Sequence, residues 1–318
     1  GASDREIDLD KIVFVGPEPT ETTITTLPSS FPNGDLRYRA FYITQSEKQN
    51  GLSADDICRK HKLPRPIVVN YFYGIVPYAV RSVNAALEER LLPFSYENHL
   101  IDHLNSLFAL AFWTGCVSGG YIQVTPSRFN KPALEAILGF LGYTPYNDTK
   151  FDQQGRHYAL REGGFYIESS ALSRTFGLLG LPYSKLKSKV IDLDVPWYAK
   201  FMFGEFFDNH NDFNAMSRKK AEKFRMKFCC ALLSDKTWFI RNRRDYNYVS
   251  LIGTHSKQTG RRLTERVAGM LMQTFPGLQI EDDELETKMH YSGSYANRIF
   301  IKGSNTNRIL GHLREILH

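Results

Sequence analysis

A chain of 318 residues and 36.5 kDa is long enough for one large domain or two to three small ones. Its 42% hydrophobic and 23% charged residues supply a buried core and exclude wholesale disorder. Against 34 Asp and Glu stand 40 Lys and Arg, giving a net charge of +6 and a pI near 9.0, a balance that suits a polyanionic partner such as nucleic acid.

The four cysteines, with Cys229 and Cys230 adjacent, are too few and too irregularly spaced for a disulfide framework or a zinc finger. No apolar run approaches the roughly 18 residues of a membrane span. No signal peptide opens the chain, so an intracellular location, nucleus or cytoplasm, is expected, with no membrane partner. The charge is unevenly spread. Residues 1–35 carry seven acids and two bases, a net of −5, which leaves +11 on the rest; residues 217–244 alone hold ten bases and two acids.

Residues 1–35, acidic and rich in Thr and Pro, read as a loosely packed arm with a short strand at Ile12–Val15. Residues 36–98 read as a helical segment. Within it Ser53 is placed to cap a helix that turns Ile57 and Cys58 inward, and Lys62 to Arg65 make a turn. Pro66 then opens a second helix through Ile67, Val68, Tyr71 and Phe72, which Gly74 stops. Two short helices about a tight turn have the shape of a helix-turn-helix, with Arg65 and Asn70 where a recognition helix presents polar groups. An ordinary helical hairpin has the same pattern.

A helix over 78–92 precedes a long apolar helix over 103–120 that runs directly into a strand at 121–125. A helix at 131–142, a polar strand region at 157–164, a strand at 165–169 and a helix at 170–180 follow. Beyond a basic linker (Lys185, Lys187, Lys189), a helix at 219–236 again runs into a strand, at 237–242. The remainder reads as strand 246–253, helix 259–275, a strand near Glu286–Tyr291, strand 297–303 and helix 306–317. The latter half is thus helix-strand-strand-helix-strand-strand-helix. The former half follows the same order with one strand poorly visible.

The two helix-to-strand junctions align at an offset of 116: Phe112 on Phe228, Gly115 on Ala231, Cys116 and Val117 on Leu232 and Leu233, Ser118 on Ser234. Small residues at matching positions let two helices approach closely, so two pseudo-equivalent helices packed side by side, each feeding a sheet, are expected. In these stretches, FWTGCVSGGYIQV (112–124) and FCCALLSDKTWFI (228–240), the chain resembles the LAGLIDADG homing endonuclease family; the lead-in GLPYSKLKSKVIDLDVPWY (180–198) resembles the stretch before that family's second motif. The resemblance covers about residues 100–318. It implies an α/β (α+β) fold of two αββαββα repeats related by a pseudo-two-fold axis, at 99–190 and 191–318, in a monomer that is an internal pseudo-dimer. The helix-turn-helix-like segment at 36–98 and the acidic arm at 1–35 lie outside that core.

The family's chemistry resembles two-metal phosphodiester hydrolysis, with one carboxylate from each motif end holding divalent ions. Here the first motif offers Ser118, Gly119 and Gly120 and no acid; the second offers Ser234 and then Asp235, one position off and followed by Lys236. The resemblance therefore implies a scaffold that has lost its cleavage centre. No cofactor is expected, or Mg²⁺ held by Asp235 in the alternative of an active endonuclease. Asp208, His210 and Asp212 have the spacing of a loop metal set, though a solvated loop has it more often; Asp192 and Asp194 read as capping or surface residues, and His255 as a catalytic or phosphate-contacting group.

A twisted sheet can enter the major groove with alternate side chains toward the bases. By alternation Ile299 and Ile301 turn inward while Arg298, Phe300 and Lys302 turn outward; Arg241 shares a face with Arg243, Lys288 with His290, and Gln123 with Thr125. Together with Arg128 and Lys257 these cations and amides are the expected contacts to bases and phosphates. The expected function is duplex DNA binding without cleavage; a Mg²⁺-dependent endonuclease and a maturase-like protein gripping structured RNA are the alternatives.

Overall fold

The computed structural model describes residues 13–15, 33–92, 94–118, 120–124, 131–146, 156–161, 164–181, 197–203, 215–238, 246–250, 257–289, 295–302, 305 and 309. It is a mixed α/β structure. Strand β1 (Val13–Val15) pairs antiparallel with β2 (Phe94–Ser95), so part of the acidic arm is held to the end of the helical segment.

Among the described residues four helices precede β2: α1 (Asn33–Gln49), α2 (Ala54–His61), α3 (Arg65–Phe72) and α4 (Tyr78–Glu88). The first lacks the clear apolar stripe by which a helix is legible in sequence. In α2 the Ser53 hydroxyl accepts the Asp56 N–H at 3.3 Å, an N-cap, and Ile57 is fully buried. Lys62 takes the left-handed conformation that turns the chain, at φ 52°. Pro64 caps α3, which begins at Arg65, one residue before the expected start. Gly74, at φ +96°, lets the chain leave α3 in a conformation that a side chain disfavours. Glu47 of α1, largely buried, accepts hydrogen bonds from Lys60 and His61 at 2.7 Å each and so ties α2 to α1.

The body is organised by two helices, α5 (Ile101–Thr114) and α9 (Ala215–Lys236), which make the most extensive helix–helix contact among the described residues. Leu104, Leu107, Phe108, Ala109, Leu110, Ala111 and Phe112 of α5 are all buried, as the continuous apolar run over its second half requires. Its buried polar residue is satisfied: Asn105 donates to the Phe224 carbonyl at 3.1 Å and accepts from the Tyr198 hydroxyl at 3.2 Å. Phe108 sits at the hub, with ring centroids 5.2 Å from Phe176, 5.3 Å from Tyr198 and 6.4 Å from Phe228. Tyr198 belongs to the short helix α8 (Trp197–Phe203), and Phe176 to the buried helix α7 (Ser170–Leu178).

Each helix of the pair feeds a sheet. The first contains β3 (Cys116–Val117), β4 (Tyr121–Val124), β5 (Thr144–Pro145), β6 (His157–Arg161) and β7 (Gly164–Glu168) in the order β3-β4-β7-β6-β5, with helix α6 (Lys131–Phe140) between β4 and β5. The second contains β8 (Thr237–Trp238), β9 (Tyr246–Ser250), β10 (Leu285–Met289) and β11 (Tyr295–Lys302) in the order β10-β11-β9-β8, with helix α10 (Lys257–Thr274) between β9 and β10. Leaving aside the short parallel strand β5, both sheets are antiparallel and follow the same spatial order: first strand, second, fourth, third. The strand that is poorly visible in the sequence is β3, too short at two residues to show alternation.

The junctions depart from the expected alignment. Helix α5 ends at Thr114 and its chain makes β3 before Ser118, whereas α9 stays helical through Ser234 and Asp235 to Lys236. The offset of 116 therefore pairs strand residues Cys116 and Val117 with helical Leu232 and Leu233. Residue type explains the difference: Gly115 interrupts the first helix, while Ala231, Leu232 and Leu233 favour continuing the second. The reason for glycine at 115 is also different from the one expected. A Cβ there would lie 2.2 Å from the Gln123 carbonyl oxygen of β4 and 2.9 Å from the Ala111 backbone, so its nearest neighbours are the hairpin and its own helix, not α9.

Candidate nucleic-acid interface

One face of the first sheet is core: Val117, Ile122, Val124, Tyr158, Phe165 and Ile167 are buried beneath α5 and α7. The other face carries Tyr121, Gln123, Tyr166, Glu168, His157 and Arg161, none of them buried. These groups form a connected polar surface. The Tyr121 and Tyr166 rings lie 5.9 Å apart, the Arg161 guanidinium sits 5.2 Å over Tyr166, and Arg161 faces Glu168 at 3.7 Å. Cys116 Sγ approaches Gln123 Oε1 at 3.6 Å. Of the expected contacts in this half, Gln123 is thus on the outer face and half-buried, while Thr125 and Arg128 lie outside the described residues.

In the second sheet Ile299 and Ile301 are buried on the side that α10 covers, as alternation predicts. Register then assigns the opposite face. Arg298 lies across from Glu286 on β10 and Ser250 on β9, and Lys302 lies across from Tyr246. The cations here are not bare: Arg298 Nη1 is 3.4 Å from Glu286 Oε2, and the Lys288 ammonium contacts the other carboxylate oxygen of Glu286. Lys288 is exposed, Arg298 half-buried, and Lys257 exposed at the first turn of α10. Arg241, Arg243, His255 and His290 lie outside the described residues, as do Asp192, Asp194, Asp208, His210 and Asp212.

Cation positions alone miss a further feature of these faces. Trp238 is opposite Tyr248, and Tyr248 is opposite Phe300, so three aromatic positions form one row across β8, β9 and β11. The alternation of YNYVS and NRIFIK assigns Tyr248 and Phe300 each to a face of its own strand, but only the register brings the positions into one row.

The helix ends lie close in the chain to these sheets. Ser118 donates its N–H to the Tyr121 carbonyl at 2.9 Å and accepts the Ser173 hydroxyl on its own carbonyl, so its backbone closes the β3–β4 hairpin. Between them stands Gly-Gly, the sequence that two-residue hairpin loops favour. Ser234 and Asp235 occupy the last turn of α9, immediately before β8. Because α9 is helical through both, Ser118 and Ser234 do not hold equivalent places, and the residues from 112 to 118 contain no acid. Among the described residues no group of three or more His, Cys, Asp or Glu is arranged to hold a metal, and no helix is long and apolar enough to cross a membrane. The cysteines of α9 are not poised for chemistry: burial raises the Cys229 thiol pKa well above its ordinary value and that of Cys230 to about 12.

In the helical segment α2 and α3 are joined by three residues and pack on α1 and on each other. Asn70 is exposed on α3. Arg65, at the start of that helix, is engaged by Asp55 at 2.8 Å in a solvent-exposed ion pair, which a phosphate would have to displace. No protein-family model and no curated protein matches the chain.

Proposed function

We propose that this chain is a nucleic-acid-binding protein built on a degenerate, non-cleaving homing-endonuclease-like scaffold, with duplex DNA as its partner. The observation that carries the reading is the shared first-second-fourth-third strand order of two sheets, each fed by one helix of a tightly packed central pair. On this reading the two halves are diverged repeats of an internal pseudo-dimer, and their outer faces straddle the duplex. Gln123, Tyr121 and His157 supply hydrogen-bonding groups for base edges. Lys257, Lys288, Arg298 and Lys302, with Arg241 and Arg243, supply phosphate contacts. The first junction has no carboxylate to pair with Asp235, which is why binding without hydrolysis is expected.

The test is selection from a random duplex DNA library, followed by salt titration and incubation with Mg²⁺ or Mn²⁺. Binding should weaken with salt, and changing Arg241, Arg243, Arg298 and Lys302 together to Ala should flatten the log–log slope by about 0.9 for each phosphate no longer neutralised. Unchanged binding by that variant would remove the sheets from the interface. Cleavage that disappears in Asp235→Asn would establish an endonuclease instead, and preference for structured RNA would establish a maturase-like ligand.

A further inference from the structure

We infer that the exposed turn joining α3 to α4, residues 73–78, is an apolar wedge that enters the minor groove of duplex DNA and bends it. This rests on the nucleic-acid-binding reading above and gives the helical segment a part in it. The turn reads Tyr-Gly-Ile-Val-Pro-Tyr, and four of its side chains face solvent: Tyr73 is 79% exposed, Ile75 56%, Val76 41% and Tyr78 50%. Single exposed apolar residues are ordinary on a protein surface, whereas four large ones within six residues form a patch that marks a contact. The backbone beneath them is fixed. The Tyr73, Gly74 and Ile75 N–H groups donate to the Val69, Tyr71 and Asn70 carbonyls at 3.1, 3.1 and 3.0 Å, and Pro77, its φ set by the ring, leads into α4. The apolar side chains are therefore held toward water before any partner arrives, which lowers the ordering cost of insertion. A cation stands at each end of the turn. The Lys48 ammonium lies 4.8 Å over the Phe72 ring and donates to the Phe72 carbonyl at 2.6 Å, and the Arg81 guanidinium lies 6.0 Å over the Tyr78 ring.

The charge of the surrounding chain selects the partner. From Ile57 to Leu87 there is no Asp or Glu, while Arg59, Lys60, Lys62, Arg65 and Arg81 give +5. Carboxylates of the chain engage Arg59, Lys60 and Arg65, but among the described residues none engages Lys48, Lys62 or Arg81, which are all exposed. An apolar tip between cations matches a bent minor groove. The cations neutralise phosphates at its edges, and Ile75 and Val76 enter between base steps, where no hydrogen bond is demanded of them. In the major groove the same side chains would leave the donors and acceptors of base edges unmatched. An anionic bilayer also takes apolar groups beside cations, but it is bound by a whole helix face. The helices on either side have no such face to give, since Val68 and Tyr71 of α3 and Val80, Val83 and Ala86 of α4 are buried. A contact confined to one turn suits a base step.

The experiment gives the full chain three probes. A mixed-sequence duplex of about 150 bp, close to one persistence length, reports bending through its rate of cyclisation by ligase. A short labelled duplex reports affinity by fluorescence anisotropy, and vesicles of phosphatidylserine and phosphatidylcholine report attachment to a bilayer. The protein should speed cyclisation by about tenfold or more. Ile75→Ser and Val76→Ser combined leave every charge in place; this variant should lose the acceleration and bind the short duplex about tenfold more weakly, with its salt dependence unchanged. Ile75→Leu and Val76→Leu combined keep the tip apolar and should keep the acceleration. Lys48→Gln and Arg81→Gln combined should flatten the log–log salt slope by about 1.8. Should the serine pair not fold, Ile75→Ser alone is read by the same ratio of cyclisation rates. Binding without acceleration, or acceleration that survives the serine pair, overturns the wedge while leaving duplex binding in place. A leucine pair as impaired as the serine pair overturns it too, and an unchanged slope in the glutamine pair overturns the placement of the turn beside phosphates. Vesicle attachment that the serine pair abolishes, with no acceleration of cyclisation, assigns the turn to a bilayer and overturns the wedge. Binding to neither duplex overturns both inferences.

Discussion

The two sheets place their strands in the same order and are fed by helices that pack against each other, yet their junctions and outer faces are built differently. In the first, Gly115 ends the helix and the chain hugs β4, because no side chain fits against the Gln123 carbonyl. In the second, α9 continues to Lys236 and passes into β8 without a glycine. One face is polar and cross-linked by Arg161, Tyr166 and Glu168; the other carries an aromatic row beside cations. The comparison teaches that topology and side-chain chemistry are set separately. Buried apolar residues on one side of each sheet maintain the order of strands, which leaves the other side free to change.

The largest expected effect breaks the comparison at its hub. Phe108 touches aromatic rings from α7, α8 and α9, so it joins elements of both halves. Phe108→Ala should cost about 4 kcal/mol through the reduced burial and the cavity left behind, measured by urea denaturation. A cost below about 1 kcal/mol would mean that the halves do not share this core.

Next comes the junction itself. Gly115→Ala forces a Cβ onto backbone atoms that cannot turn aside, and about 3 kcal/mol of destabilisation is expected. Gly120→Ala in the same hairpin meets nothing within 4 Å and should stay within about 0.5 kcal/mol of wild type. Equal costs at the two glycines would contradict the close approach of helix end and β4.

Thiol reactivity sharpens the contrast between the helix ends. Cys116, in β3, is half-buried, as is Cys58, whereas Cys229 and Cys230 are buried in α9. With the Cys230 pKa near 12 and that of Cys229 also raised, almost no thiolate exists there at about pH 8. Alkylation followed by peptide mass mapping should label Cys58 and Cys116 first, and the α9 pair only under denaturing conditions. Equal labelling rates in the native protein would show that α9 is not buried as described.

The smallest effect lies outside both sheets, in the helical segment. Hydrogen bonds from Lys60 and His61 hold the Glu47 carboxyl below its ordinary value of 4.5. A group with a depressed folded pKa contributes stability above its unfolded pKa and loses it as pH falls through the folded one. Helix α2 should therefore loosen below about pH 4.5, followed by amide exchange in residues 54–61, and Glu47→Gln should remove that acid step. An unchanged acid profile in the variant would assign the step to other carboxylates.

Much of this was legible in the chain. The period of two in NRIFIK placed Ile299 and Ile301 in the core, and Ser53, Lys62 and Gly74 marked the turn and ends of α2 and α3, because caps and left-handed positions are local chemistry. The pairing of α5 with α9 was expected from the matched apolar stretches that end the two helices, although Gly115 serves the hairpin and not the contact between them. The aromatic row was not, since Trp238, Tyr248 and Phe300 come together only when the register of three strands is fixed. The equivalence of Ser118 and Ser234 failed for a related reason. Sequence determined that an apolar helix passes into a strand near residue 121; where α5 stops, and that β3 exists at all, was decided by the contact between Gly115 and β4, a backbone approach between residues eight apart that forms only in the folded hairpin.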